Sequence, residues 1–157
     1  VAYILDSAFA DNKEGMILKE VQLMKMLRPN LRKYFYHTSL NFPPYENLSD
    51  QQMTRIAKDY LEQMGFGQNQ YILFRHFDAD HPHLHILVNR IGYDGSVVSD
   101  SKDYQRSEEV LRKLEKHYGL TRVVSSRQAH ERAMTKNELG MMVRTDEPSV
   151  KMKLQEI

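Results

Sequence analysis

The segment Tyr71–Asn89, with the sequence YILFRHFDADHPHLHILVN, decides the fold that we predict for this chain. Two apolar runs typical of strands, Tyr71–Phe74 and Ile86–Val88, flank an acidic connection that contains Pro82. Short apolar runs separated by turn-forming residues predict neighbouring antiparallel strands. We therefore expect an antiparallel sheet with this strand pair at its centre.

Four of the seven histidines lie in this segment, at His76, His81, His83 and His85. Residues two apart on a strand point to the same face, so His83 and His85 share a face, which Asn89 continues. His76 ends the preceding strand and can approach this pair from the side. Three imidazoles that converge on one point predict a site for a divalent metal ion.

The connection between the two strands adds two acidic groups. Asp78 and Asp80 can neutralise charge or orient the imidazole rings, as hydrogen-bonding partners of metal ligands commonly do. The alternative is that the histidines only pack against other residues. The chain would then be a non-catalytic DNA-binding module, and its metal content would distinguish the two hypotheses.

Composition limits the class of protein. A chain of 157 residues, 41% hydrophobic and 27% charged, can form one domain with a substantial core. It contains no apolar run long enough to cross a membrane, and we expect no signal peptide. The absence of cysteine excludes disulfides and thiolate metal sites and fits a cytoplasmic protein. Because the chain starts at Val1 inside an apolar segment, we expect it to be a fragment or to lack its first residues, including the first strand of the domain.

Periodicity and turn signals predict the other elements. In chain order they are an apolar helix at Val1–Leu5, a helix from Ile17 to Leu27, a strand at Tyr34–Phe42, a helix opened by a capping box at Ser49–Gln52, a hairpin turn at Tyr93–Gly95 with a return strand at Val97-Val98, a helix at Gln105–Tyr118, and short helices between Ser125 and Gln155. This order predicts an α+β fold: a central antiparallel sheet with helices packed on it, which we expect over one face.

The central motif HFDADHPHLHILVNR, at residues 76–90, resembles the third motif of the relaxases, the mobilisation nucleases of conjugative and mobilisable elements. Weaker matches follow in the family's order, at Val1–Leu5, His37–Phe42, Tyr60–Phe66, Tyr93–Gly95 and Leu114–Leu120. The resemblance covers most of residues 1–120. It implies a histidine-hydrophobic-histidine endonuclease fold, with residues 1–120 as the catalytic core and residues 121–157 as a helical extension of the same domain.

The resemblance also implies the chemistry and the residues that perform it. His76, His83 and His85 match the metal ligands, for which manganese, magnesium or another first-row ion is expected. Tyr3 matches the tyrosine that attacks a DNA phosphate to give a 5′-phosphotyrosine and a free 3′-hydroxyl, a step that can be reversed to rejoin the strand. His37 matches a position where related enzymes place a polar or acidic residue beside the site, which implies a catalytic role.

Further implied features concern DNA and other partners. Asn89, Arg90, Arg75 and His81 are the expected DNA contacts, and the expected substrate is single-stranded DNA at a transfer origin. Accessory mobilisation proteins and a coupling protein are expected partners, and the expected location is the bacterial cytoplasm.

Two other nuclease functions remain as alternatives. A rolling-circle replication initiator resembles this pattern, but its tyrosine follows the histidine pair and usually has a lysine three residues later. The tyrosines that follow the pair here, Tyr93, Tyr104 and Tyr118, lack that lysine. A metal-dependent hydrolase that activates water would keep the histidines and would need no tyrosine.

Overall fold

Strands β3 (Asn69–His76) and β4 (His83–Gly92) pair in antiparallel fashion at the centre of the sheet, as the sequence predicts. The computed structural model describes residues 2–42, 48–76, 83–120 and 132–134. The other elements are β1 (Ala2–Ser7), α1 (Glu14–Lys25), β2 (Phe35–Asn41), α2 (Asp50–Gln63), α3 (Asp103–Tyr118) and β5 (Arg132–Met134). The five strands lie in the order β1-β3-β4-β2-β5, and all four neighbouring pairs are antiparallel. The α+β prediction is therefore confirmed.

The two faces of the sheet carry separate apolar clusters, because side chains alternate along each strand. The α2 face, which includes Leu73 and Ile86, is covered by α2 and α3. The opposite face, which includes Phe74 and Leu87, is covered by α1 and is called the histidine face below. The prediction of helices over one face is therefore wrong. Both faces of the central strands are apolar, so both require a helix to exclude water.

β1 corrects the prediction of an apolar helix at Val1–Leu5. Ala2, Tyr3 and Ile4 pair with β3, and the backbone pairing outweighs the weak local preference of a short apolar run. Ile4 lies opposite Phe74, whereas Asp6 lies opposite Leu73, so two steps along β1 match one step along β3. Leu5 is therefore the extra residue of a β-bulge.

The predicted helix starts and turns are largely confirmed. Ser49 and Gln52 form the reciprocal hydrogen bonds of a capping box at the start of α2. Gly95 takes a positive φ of 83° in the turn after β4, where the Gly92 N–H donates to the Ser96 carbonyl at 2.8 Å. The predicted return strand is reduced to a single bridge between Ile91 and Val97.

The helical prediction for residues 121–157 falls mostly outside the described residues. Three of these residues, Arg132–Met134, are described, and they form β5 instead of a helix because they pair with β2. In the described part of the chain, no helix is both long and apolar enough to cross a membrane.

The capping box at α2 gives a first stability test. Ser49→Ala removes the hydroxyl that accepts from the Gln52 N–H at 3.2 Å, and we expect a loss of about 1 kcal/mol in the free energy of unfolding. Urea denaturation measures this loss. Gln51→Ala, an exposed neighbour in the same turn, is the matched control and should change stability by less than about 0.5 kcal/mol. Equal losses in the two variants would contradict the capping role.

Candidate metal centre

Three histidines converge at one end of the histidine face. The strand register places His76 directly opposite His83, and His85 lies two residues further along β4 on the same face. One ring nitrogen from each of the three lies within 4.8 Å of the others, an arrangement that could hold a metal ion. The rings of His76 and His85 are closest, with centroids 4.1 Å apart. Three nearby neutral imidazoles form a donor set that suits first-row ions such as manganese, cobalt, nickel or zinc.

His37 lies beside this group on β2, as the resemblance implies. Its Nε2 is 2.7 Å from Nδ1 of His85, and the two rings stack at an interplanar angle of 3°. Because this contact involves Nδ1 of His85, Nε2 is the nitrogen that His85 would offer to a metal ion. For that nitrogen to offer a lone pair, His85 Nδ1–H must donate to His37. His37 therefore has the position of a residue that sets the tautomer and orientation of a ligand.

Two further polar residues share the face of the three histidines, and the sequence did not predict either as a site residue. Ser39 lies opposite His85, and Asn41 lies opposite His83, so both belong to the histidine face. Ser39 is buried, and Asn41 is partly exposed at the end of the strand. The period-two pattern from His37 to Asn41 could have identified them, but only once the register of β2 against β4 was known.

Tyr3 lies on the other face of the sheet. It pairs with Arg75, and its hydroxyl donates to the two carboxylate oxygens of Asp50, at 2.7 and 2.6 Å. Arg75 also forms an ion pair with Asp50. Partial burial, and then the Asp50 carboxylate, raise the pKa of Tyr3 to about 12. In this arrangement Tyr3 is protonated at neutral pH and does not face the histidines.

The two predicted DNA contacts at the end of β4 are engaged within the protein. Asn89 is completely buried, where its amide donates to Gln70 at 2.9 Å and accepts from the Ile91 N–H at 3.0 Å. The Arg90 side chain donates to the carbonyls of Val98 and Lys33. Both side chains thus hold β4 to its neighbours. The remaining predicted residues, Asp78, Asp80 and His81, lie outside the described residues.

A family model for the relaxase nuclease domain, of the MobA/VirD2-like type, matches residues 2–120. The chain belongs to this relaxase family. The matched region includes β1 to β4, α1 to α3 and the histidine group, so membership supports a DNA-nicking role. The searches of curated proteins and of solved structures gave no match.

The histidine group gives a direct metal-binding test. Replacing any one of His76, His83 and His85 by alanine should lower the affinity for Mn²⁺ or Zn²⁺ by about 100-fold or more, since one of three imidazole ligands is lost. Isothermal titration calorimetry measures the affinity. His117→Ala is the matched control, because this exposed histidine lies on α3, and it should leave the affinity unchanged. Unchanged metal affinity in a variant with all three histidines replaced by alanine would show that the metal binds elsewhere.

Proposed function

We propose that this domain is a relaxase that nicks one DNA strand at a transfer origin of a conjugative or mobilisable element and then rejoins it. The observation that carries the proposal is the convergence of His76, His83 and His85 within a relaxase nuclease domain. The expected setting is the bacterial cytoplasm. Accessory mobilisation proteins and a coupling protein are the proposed partners.

The histidine group supplies the phosphate-binding part of the site. His76, His83 and His85 would hold a divalent ion, which when bound neutralises charge on a non-bridging phosphate oxygen. His37 positions the His85 ring through the 2.7 Å contact between their nitrogens. Asn41, which is partly exposed on the same face, would offer a polar side chain to the backbone of a bound strand.

Tyr3 is the proposed nucleophile. Its phenolic oxygen forms a bond to phosphorus while the bond from phosphorus to the 3′-oxygen breaks. The phenol loses its proton, and the departing 3′-oxygen gains one. The phosphodiester bond is exchanged for a phosphotyrosine bond, so the reverse reaction can rejoin the strand. Tyr3 must leave Asp50 and reach the histidine face before this step.

The placement of Tyr3 and the histidines on opposite faces of the sheet supports a second candidate function. A nuclease that activates water needs only the metal and its ligands. Such an enzyme would leave Tyr3 in the hydrogen bond with Asp50 throughout the reaction. The relaxase proposal is preferred because the family match extends over β1 as well as the histidines.

A covalent adduct distinguishes the two functions. With a metal ion and a labelled transfer-origin oligonucleotide, we expect a protein–DNA adduct that peptide mapping assigns to Tyr3. Tyr3→Phe should abolish the adduct while metal and DNA binding persist, because only the hydroxyl is removed. His83→Ala should abolish or greatly slow the reaction and should lose metal binding as well.

Tyr71→Phe is the matched control for this experiment. It also removes a hydroxyl that donates to a carboxylate, that of Asp6 at 2.7 Å, and should retain the adduct. Cleavage to a plain 5′-phosphate without an adduct would establish the hydrolase. An adduct at Tyr104 or Tyr118 would instead indicate a replication initiator, in which the catalytic tyrosine follows the histidines in the sequence.

Strandedness gives an independent prediction. A single strand or an opened duplex should be nicked faster than a linear duplex, since base stacking restricts access of the tyrosine to one phosphate. Binding should also weaken steeply with salt, because the release of counterions from the DNA becomes less favourable as the salt concentration rises. A gel assay with matched oligonucleotides at two salt concentrations measures both effects. Equal nicking of the two substrates would contradict the prediction.

A further inference from the structure

The β-bulge in β1 divides the strand into two parts. Between Ile4 and Asp6, β1 contains one more residue than the facing part of β3, and that residue is Leu5. A bulge of this kind places residues before and after it in registers that differ by one. A one-residue difference in register reverses the face to which each side chain points.

The part of β1 that follows the bulge is firmly held. The Tyr71 hydroxyl donates to Asp6, and Lys58 forms an ion pair with the same carboxylate at 3.7 Å. The Ala8 N–H donates to the Tyr71 carbonyl at 3.0 Å. On the other side of the bulge, the side chain of Tyr3 is held by Asp50, whose carboxylate is half exposed.

Removing the bulge would carry Tyr3 to the other face of the sheet. If Asp6 stays opposite Leu73, each earlier residue moves one position along β3. The new opposite pairs are Leu5–Phe74, Ile4–Arg75 and Tyr3–His76. Directly opposite residues share a face, so Tyr3 would join the face that carries the three histidines.

The shift of β1 to the bulge-free register preserves the apolar character of both faces of the sheet. Ile4 packs against the cluster under α1, and Leu5 packs against the cluster under α2. The shift exchanges these two isomeric side chains, so the buried apolar volume is nearly conserved. Among the described residues β1 is an edge strand that pairs only with β3, so the shift changes one ladder of hydrogen bonds.

We propose that β1 has two registers. In the bulged register the Tyr3 hydroxyl is hydrogen-bonded to Asp50, and in the bulge-free register Tyr3 lies on the same face as the histidines. The proposal rests on the proposed function in assigning the nucleophile to Tyr3. A DNA phosphate at the histidines favours the bulge-free register, because it contacts the tyrosine in that register only.

Deletion of Leu5 tests the need for the extra residue. Without Leu5, Asp6 remains opposite Leu73 while Ile4 and Tyr3 keep their present partners, so the strand is regular and Tyr3 stays on the α2 face. We expect adduct formation to fall to the level of Tyr3→Phe, while metal binding is retained. An adduct at Tyr3 in the deletion variant would overturn the proposal and leave the proposed function intact.

Asp50→Ala should act in the opposite direction. It removes the carboxylate that accepts the Tyr3 hydrogen bond in the bulged register. The equilibrium between the two registers should then shift toward the bulge-free one, and adduct formation should increase by about fivefold, the factor that corresponds to one hydrogen bond. Gln51→Ala, in the same turn of α2, is the matched control and should leave the rate unchanged. An unchanged or lower rate of adduct formation in Asp50→Ala would overturn the proposal that the hydrogen bond between Tyr3 and Asp50 favours the bulged register.

Engineered disulfides report the register without relying on catalysis, since the chain has no cysteine. Ile4→Cys with Phe74→Cys can close in the bulged register, and Leu5→Cys with Phe74→Cys can close in the bulge-free register. We expect both pairs to oxidise, the second faster when Mn²⁺ and an oligonucleotide are present. Closure of the Ile4 pair alone under every condition would overturn the proposal. If wild type forms no adduct, the proposed function fails, and the disulfides still determine whether two registers exist.

Discussion

The register between β3 and β4 is the constraint on which the site depends, because it places His76 directly opposite His83. A slip of one residue would move His76 to the other face. Both faces of these strands are apolar, so hydrophobic patterning alone does not prevent the slip. The buried amides do, since Asn69 donates to the Asn89 carbonyl and Asn89 donates to Gln70, and a slip would leave these groups unsatisfied.

The site is also defined by what α1 leaves uncovered. Ile17 and Val21 bury the part of the histidine face that lies near Ile72 and Leu87, and the histidines lie beyond this cluster, where β3 ends and β4 begins. His76 and His85 are consequently only partly buried, as a site that receives a polymer requires. Packing by α1 thus fixes the apolar part of these strands, and the histidines lie outside that cluster.

The sequence was informative where the determining interactions are local. His83 and His85 share a face through strand alternation alone, and the capping box at Ser49 spans four residues. Contacts between distant residues could not be predicted in this way. The contact between His37 and His85 joins residues 48 apart and follows from the pairing of β2 with β4. Nor does a sequence distinguish a buried Asn89 from an exposed one, because its role depends on the partners that surround it.

The position of Tyr3 is a consequence of strand alternation. The sheet separates a hydroxyl on the α2 face from histidines on the other face, and a change of rotamer cannot cross the sheet. Only a shift by an odd number of residues reverses the face, and Leu5 supplies one residue. Detaching the whole of β1 would also free Tyr3, but it would break the contacts of Asp6 and Ala8 with Tyr71. Removing the bulge leaves those contacts in place, so it is the smaller of the two rearrangements that would bring Tyr3, the proposed nucleophile, to the three histidines.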